Sequence, residues 1–434
     1  MLNNSLILLY IIPLGFVLGL YLIVRDRASD RASAVHAAAL EAGLIEPPSL
    51  HPVIDPVVCL GCGACANACP EGDVIGLIKG KAVLIEPTHC IGHGACAKAC
   101  PTEAISLVFG TERRGIDIPF VDADFQTNVP GIYIAGELGG MGLIRNAIEQ
   151  GRQAMDAIQT ALSKEKSDFL DVMIVGAGPA GFSATLAAKE FGLKSVTVEQ
   201  ESLGGTVAHY PRGKLVMTQP VDLPIIGKVK LKDPSKEHLL EFWQSVEKKS
   251  GVDFNYDERV TEVTPVPGGF EIATSKTAYK AKTILLAIGR RGTPRKLGVP
   301  GEELPKVVYR MIDPEQYAGR RVLIVGGGDS ALEAAAEIAE QPGSKVILSY
   351  RSETFSRARQ RNRERVEKLN EGDGLNVVMQ SEVRAITQTY IILEKNGAQK
   401  KAANDDVIVC AGGILPTAFL KNIGIEVETK FGSA

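Results

Sequence analysis

The chain has 434 residues, 45% of them hydrophobic and 23% charged, and a formal net charge of −3. That length accommodates two or three domains with sizeable cores, and the ordinary composition excludes a disordered or fibrous polymer. Charge this close to neutral excludes a global attraction to nucleic acid, so no nucleic-acid partner is expected.

The first element is apolar. From Leu6 to Val24 runs an uncharged stretch of 19 residues, LILLYIIPLGFVLGLYLIV, close to the length at which a helix crosses a bilayer core. Pro13, Gly15 and Gly19 are tolerated in such helices. No Lys or Arg precedes the stretch, whereas Arg25, Arg27 and Arg31 follow it. That is the reverse of a secretory signal, and the positive-inside tendency leaves the remainder in the cytoplasm. Residues 1–25 are therefore expected as a single-pass anchor in the cytoplasmic membrane, with the lipid bilayer as a partner through residues 6–24. Residues 26–55 read as a linker, in which a polar, Ala-rich helical piece leads to the Pro-containing stretch Glu46–Pro56.

Seven of the eight cysteines then fall in two near-copies of one spacing, Cys59-x-x-Cys62-x-x-Cys65-x-x-x-Cys69-Pro70 and Cys90-x-x-His93-x-x-Cys96-x-x-x-Cys100-Pro101. This is iron–sulfur ligand spacing: three thiolates on a tight Gly- and Ala-rich turn close on three corners of one cluster, and the other repeat supplies the fourth. The expected sets are Cys59, Cys62, Cys65 with Cys100, holding a 4Fe-4S cluster, and Cys90, His93, Cys96 with Cys69. The second set holds either a 4Fe-4S cluster with a histidine ligand or a 3Fe-4S cluster beside an unbound His93. A structural zinc site uses two ligand pairs and tolerates variable spacing, so the doubled run favours clusters. Between the runs, Val74–Pro87 reads as a hairpin turning at Lys79-Gly80-Lys81. Residues 56–108 thereby resemble the bacterial two-cluster ferredoxins, apart from His93.

Further on, the strand Asp171–Val175 runs into Gly176-Ala-Gly178-Pro-Ala-Gly181, a helix ending near Phe191, and a second strand, Ser195–Val198, that stops at Glu199. Strand, glycine turn, helix and carboxylate in this order form a dinucleotide site. The glycines let the backbone approach a pyrophosphate, the helix N-terminus supplies positive charge, and Glu199 takes ribose hydroxyls. A second copy comprises the strand Arg321–Val325, the turn Gly326-Gly-Gly328-Asp329-Ser330-Ala331, and the strand Lys345–Ser349. No acid ends that second strand. Tyr350-Arg351-Ser352 follows with Arg357 close behind, and cationic and hydroxyl groups there suit the 2′-phosphate of NADP(H) better than NAD(H). Arg361, Arg363 and Arg365 read as a solvated helix, with contact to an acidic redox partner as the alternative.

Gly176 to Glu199, Leu285-Leu-Ala-Ile-Gly289-Arg290 and Gly326 to Glu333 together resemble the thioredoxin-reductase-like flavoproteins, over roughly residues 110–434. The resemblance implies FAD in one Rossmann-type domain and NAD(P)H in another inserted within it. Thr127 to Glu137 and Gly142 to Gly151 are similar to that family's closing FAD segment, which implies that Gly136 and Glu137 face the ribityl–phosphate region. Glu137 stands where the family usually has Asp. The closing segment normally ends the chain, yet here it precedes Gly176, which implies a circular permutation. Cys410 is the only cysteine outside the two runs, so a flavin-coupled C-x-x-C dithiol is excluded.

The expected fold class is α/β. It comprises two Rossmann-like three-layer domains, a small α+β dicluster ferredoxin domain and one N-terminal transmembrane helix. The expected boundaries are the anchor at 1–25, the linker at 26–55, the dicluster domain at 56–109 and the permuted closing segment at 110–165. The FAD domain follows at 166–297, the NAD(P) domain at 298–411, and the return to the FAD domain at 412–434. The expected function is an oxidoreductase passing electrons between NAD(P)H, FAD and the clusters, to or from a ferredoxin-like redox protein or a membrane electron carrier. Hydride transfer needs no side-chain acid or base, so no catalytic residue is named. A non-enzymatic redox sensor and a subunit of an electron-bifurcating complex are the competing readings. The resemblance also implies a homodimer.

Overall fold

The computed structural model describes residues 4–432 apart from 43, 45–46, 48–49, 91, 113–114, 141–142, 163–166, 211–215, 217–219, 232–233, 291 and 357, with only the backbone for 4–11 and 293. Arg357, expected near a 2′-phosphate, and Gly142 of the closing segment thus lie outside the described residues. The chain forms two compact units, one of Met1–Arg113 with Thr354–Gln360 and Gly432–Ala434, the other of Arg114–Glu353 with Arg361–Phe431.

The first unit opens with helix α1, Asn4–Glu41. Here the membrane expectation is corrected: among the described residues no helix is long and apolar enough to cross a membrane. The physical reason is that the helix does not end with its apolar run. The same helix then continues through Arg25, Asp26, Arg27, Asp30 and Arg31 into a half that packs on protein. Ala32 and Ala39 are buried, and the Ser29 hydroxyl accepts the Lys79 N–H at 3.1 Å. The anchor at 1–25, the bilayer partner and the cytoplasmic-membrane localisation are set aside together.

Strands β1 (His51–Ile54), β2 (Ile75–Ile78), β3 (Lys81–Leu84) and β4 (Ile105–Val108) complete this unit with two short helices, α2 (Ala64–Asn67) and α3 (Ala95–Ala99). β1 pairs antiparallel with β4, and β2 with β3. The hairpin turns through Lys79 and Gly80, both at positive φ. A Cβ on Gly76 would lie 2.8 Å from the Ala32 Cβ, so this glycine lets α1 settle on β2. The core consists largely of the ligand runs themselves, with Cys59, Cys65, Cys90 and Cys96 buried among Val74, Ile75, Ala82, Ala104 and Ile105.

The second unit begins with β5 (Ile116–Pro119), β6 (Ile132–Ile134) and helix α4 (Ile144–Ala161). It continues with β7 (Leu170–Val175), α5 (Pro179–Glu190), β8 (Ser195–Val198), β9 (Val221–Leu223), β10 (Gly227–Val229) and α6 (Lys236–Ser250). Next come β11 (Val260–Val266), β12 (Gly269–Thr274) and β13 (Ala278–Leu286). These build a sheet of order β11-β12-β13-β7-β8, with β6 added beside β13. β12 pairs antiparallel with residues 278–281 of β13, and β6 runs parallel to residues 284–286 of the same strand. Side chains of β7 alternate between the two faces. Val172 and Ile174 pack with Ala154, Met155 and Ile158 of α4 and Ala180 and Ala184 of α5, whereas Met173 and Val175 pack with Phe270 and Ile272 of β12. Each fully buried Met155 or Ile158 contributes about 1.5–3 kcal/mol.

The remaining strands are β14 (Thr293–Pro294), β15 (Val307–Val308), β16 (Arg321–Val325), β17 (Lys345–Tyr350), β18 (Leu375–Met379), β19 (Ser381–Ile386), β20 (Tyr390–Lys395), β21 (Ala398–Ala403), β22 (Asp406–Val409), β23 (Gly413–Ile414) and β24 (Val427–Lys430). Helix α7 (Asp329–Ala339) follows β16, α8 (Gln360–Asn370) follows β17, and α9 (Thr417–Asn422) precedes β24. A second sheet has the order β15-β22-β16-β17-β18 and is flanked by the three-stranded sheet β19-β20-β21. β24 pairs antiparallel with β5, joining the chain's last strand to the segment before β6.

Candidate functional site

The two cysteine runs turn alike at their glycines. Gly61 and Gly63 have φ of 66° and 77°, and Gly92 and Gly94 have 75° and 73°, left-handed values that glycine adopts without strain. Close approach also requires the first glycine of each pair, since a Cβ on Gly61 would lie 1.9 Å from the Gly80 carbonyl oxygen and one on Gly92 2.6 Å from the Leu50 oxygen. Each turn feeds one short helix, placing Cys65 in α2 and Cys96 in α3. Cys59, Cys62, Cys65 and Cys100 line a single cavity with Ile54, Ala82 and Ile105, which brings together the first expected ligand set. Backbone N–H groups of Gly61 and Ala82 donate to Cys59 Sγ at 3.4 and 3.5 Å, and the Ala104 N–H donates to Cys100 Sγ at 3.3 Å. Such donors favour the thiolate form of a ligand.

In the second set, burial pushes the Cys90 thiol up to about 11, and neighbouring Cys96, Cys69 and Glu71 add to the rise. Burial raises Cys65, Cys69 and Cys96 as well, so a metal group bound here displaces protons. His93 Nδ1 accepts the Ala95 N–H at 3.3 Å, while its Nε2 is buried without a partner. Among the described residues no group of three or more His, Cys, Asp or Glu side chains could hold a single metal ion. A multi-iron cluster is a larger body than one ion and spreads its ligands around a cavity, as the four cysteines here are spread.

At the first dinucleotide turn, the carboxyl ends of β6, β7, β8 and β13 meet. A Cβ on Gly176 would lie 2.5 Å from the Ala287 oxygen, and one on Gly181 only 1.8 Å from the Gly176 oxygen. Gly178 faces open space, which leaves its backbone free to approach a phosphate. Glu199 is 7% exposed and accepts the N–H of Ala177 at 2.7 Å and of Glu201 at 2.9 Å. Burial raises its pKa. The carboxylate thus holds the turn itself as well as standing where ribose hydroxyls are expected. Gly136 ends β6, with its N–H bound by Gln150 Oε1 of α4 at 2.9 Å, and Glu137 follows in a half-buried turn. α4 lies so close to α5 that a Cβ on Gly151 would come 2.1 Å from the Ala180 oxygen.

The second turn repeats this plan. A Cβ on Gly326 would lie 2.4 Å from the Cys410 oxygen, and Gly328 faces open space. Ser330 is exposed in the first turn of α7, Arg351 is exposed and Ser352 half-buried after β17. The Tyr350 ring covers Gly327, whose Cβ would sit 2.3 Å from it. Cys410 ends β22 with Sγ 3.8 Å from the Ser330 carbonyl.

Two features were missed in the sequence. Gly204 and Gly205, at φ of 103° and 52°, form a loop on which a Cβ at Gly205 would lie 3.2 Å from the Gly178 Cα, so they wall the first turn. Their adjacency shortly after Glu199 was an available signal. Arg310 reaches both His209 and Glu201, its Nη1 lying 3.2 Å from the Glu201 carboxylate. No local pattern joins residues a hundred positions apart.

Residues 173–432 match the family model of pyridine nucleotide-disulphide oxidoreductases, and residues 51–101 match that of a 4Fe-4S dicluster domain. A ferredoxin–NADP reductase from Ignicoccus hospitalis is 30% identical over 268 residues, covering 60% of this chain and 83% of that protein. The bacilliredoxin reductase of Bacillus subtilis is 26% identical over 267 residues, 60% of this chain and 82% of that one. Among solved structures, the bacillithiol disulfide reductase from Staphylococcus aureus superimposes with a TM-score of 0.52 at 26% identity, over 59% of this chain and 80% of that one.

Proposed function

Because the chain belongs to the pyridine nucleotide-disulphide oxidoreductase family and carries a 4Fe-4S dicluster domain, we propose that this NAD(P)H-dependent flavoprotein oxidoreductase exchanges electrons between its nucleotide sites and its own clusters, and through them with a ferredoxin-like redox protein. Its cofactors are FAD, NADP(H) and iron–sulfur clusters. The observation that carries the reading is where the sulfur lies. Seven cysteines form the two ligand runs, whereas the turn Gly178-Pro179-Ala180 has no thiol and Cys410 stands alone in the second dinucleotide fold. With no dithiol beside the flavin site, the clusters are the electron store this chain itself provides.

The bound groups supply hydride exchange between nicotinamide and flavin and one-electron exchange at iron; the protein supplies placement and electrostatics. Gly176, Gly178 and Gly181 give the first pyrophosphate a backbone cradle at the N-terminus of α5, Glu199 takes the ribose, and Gly136 and Glu137 close the site from β6. Gly326, Gly328 and Ser330 play the first role for NADPH, with Arg351 and Ser352 offering charge and a hydroxyl to the 2′-phosphate. Cys59, Cys62, Cys65 and Cys100 hold one cluster, and Cys69, Cys90 and Cys96 hold the other. We further propose that 110–165 is a circularly permuted closing segment. The pairing of β6 with β13 and the packing of α4 on α5 support that origin, as does the return of β24 to β5.

Anaerobic titration of the purified protein with NADPH, and separately NADH, followed by flavin absorbance and low-temperature paramagnetic resonance, tests the reading. Flavin bleaching accompanied by reduced-cluster signals is expected, at lower NADPH than NADH. Bleaching with clusters that stay silent at every potential down to dithionite would sink the internal path.

A further inference from the structure

His93 occupies the position that Cys62 has in the first repeat, each between two left-handed glycines, and yet the two side chains are used differently. Cys62 lines the cavity shared by Cys59, Cys65 and Cys100. The His93 ring instead turns onto its own chain, where Nδ1 accepts the Ala95 N–H at 3.3 Å. That bond satisfies a backbone donor at the start of α3, whose N-cap Gly94 makes no side-chain capping bond. A ring nitrogen that accepts an N–H has its lone pair engaged and carries no proton, so the neutral ring's one proton sits on Nε2. Nitrogen in that state ligates iron through neither position. Nε2–H is a donor, and it is buried with no acceptor in the protein. Buried donors are as a rule satisfied, and one left alone points to a partner that is not a protein atom.

We infer that His93 is a hydrogen-bond donor to the second cluster and not one of its ligands. Cys69, Cys90 and Cys96 are then its only protein ligands, and one corner of the cluster lacks a protein side chain. The inference rests on the reading of the two cysteine runs as cluster ligands. A site of three thiolates takes a three-iron cluster, or a four-iron cluster whose last iron is held by a small oxygen or sulfur ligand from solution. Hydrogen bonds to cluster or thiolate sulfur stabilise the more negative, reduced form and raise the potential. His93 therefore tunes the second cluster without touching its iron.

The test uses the full chain, prepared without air. Pulsed paramagnetic resonance of the wild type should show no directly coordinated nitrogen on the second cluster. His93→Ala should keep the same cluster type and lower its midpoint potential in a resonance-monitored redox titration. His93→Cys should complete the fourth corner, raising bound iron to about eight per chain in protein freed of loosely held metal, against about seven in the wild type. Strong nitrogen coupling in the wild type that disappears in His93→Ala, together with a change of cluster type, would overturn the inference in favour of ligation. An unchanged potential in His93→Ala would overturn it in favour of a plain helix cap. Absence of any iron–sulfur signal in the wild type would instead bring down the reading of the cysteine runs, a result distinct from either.

Discussion

In both dinucleotide folds the first glycine of the turn lies against the carbonyl that ends a neighbouring strand, Gly176 against Ala287 and Gly326 against Cys410. Both folds also close alike, with the Gly176 N–H bound to Val198 at 2.8 Å and the Gly326 N–H bound to Ser349 at 3.0 Å. They part at the residue after the one that accepts this N–H, next to Val198 in the first fold and to Ser349 in the second. In the first fold this is Glu199, whose carboxylate reaches back to the Ala177 N–H in the turn. In the second it is Tyr350, whose ring covers Gly327. One position thus presents a carboxylate to the turn in one fold and an aromatic ring in the other. The lesson is that one glycine-turn plan serves both folds, while the side chain next to the turn differs between a carboxylate and a ring.

The two turns differ most in consequence at their third small residue. Gly181→Val would force a Cβ to within 1.8 Å of the Gly176 oxygen, a backbone atom that cannot yield, at a cost of about 3 kcal/mol or more. Loss of flavin on desalting and a lower melting temperature are expected. Ala331 holds the matching place in the second fold and already carries a Cβ, so Ala331→Gly should cost about 1 kcal/mol and leave the flavin spectrum unchanged. Glu199→Gln comes next. It sets an amide N–H₂ against two backbone donors or gives up one of them, so a penalty of about 1–3 kcal/mol is expected as a 10- to 100-fold weaker FAD affinity in reconstitution titrations.

Both turns were legible in the sequence, because ligand chemistry imposes their spacing on consecutive residues. The same holds for the cysteine runs, where Gly61 and Gly92 are required by contacts close to the ligands. Strand β6 was legible only through resemblance, since its partner Ile284–Leu286 lies about 150 residues away. The apolar run of α1 misled for the opposite reason. Hydropathy is a local sum, and it does not register that the helix runs on through Arg25 and Asp26 until Ala32 meets Gly76 on β2. Burial of small residues against small residues carries no hydrophobic signature. The Glu199 bond to Ala177 was also invisible, since spacing locates a carboxylate but does not say which N–H it takes.

Smaller effects are expected where nucleotide choice rests on exposed groups. Arg351→Ala removes a cation that the first fold has no counterpart for. The KM for NADPH should rise about tenfold, or about 1.4 kcal/mol, while that for NADH stays within about twofold, as steady-state reduction of an artificial acceptor would show. Equal losses for both nucleotides would mean that Arg351 meets the shared phosphates and not the 2′-phosphate.

The smallest effect lies at the base of the sheets, where the folds use opposite signs. Asp171 at the start of β7 meets Lys282 of β13 at 2.8 Å, whereas Arg321 at the start of β16 meets Asp405, just before β22, through Nη2 at 2.5 Å and Nε at 2.9 Å. Hydrogen bonding to Arg321 holds the Asp405 carboxyl well below the usual carboxylate range. A depressed folded pKa means stability that is present above the unfolded value of about 4 and is lost as pH falls toward the folded one. Solvent screens this pair, so Asp405→Asn should cost no more than about 1 kcal/mol at pH 7. The difference in melting temperature between variant and wild type should shrink below about pH 4. A gap that persists unchanged into acid would assign the loss to hydrogen bonding at this position, where the amide offers one acceptor oxygen to Arg321 in place of two, and not to the charge.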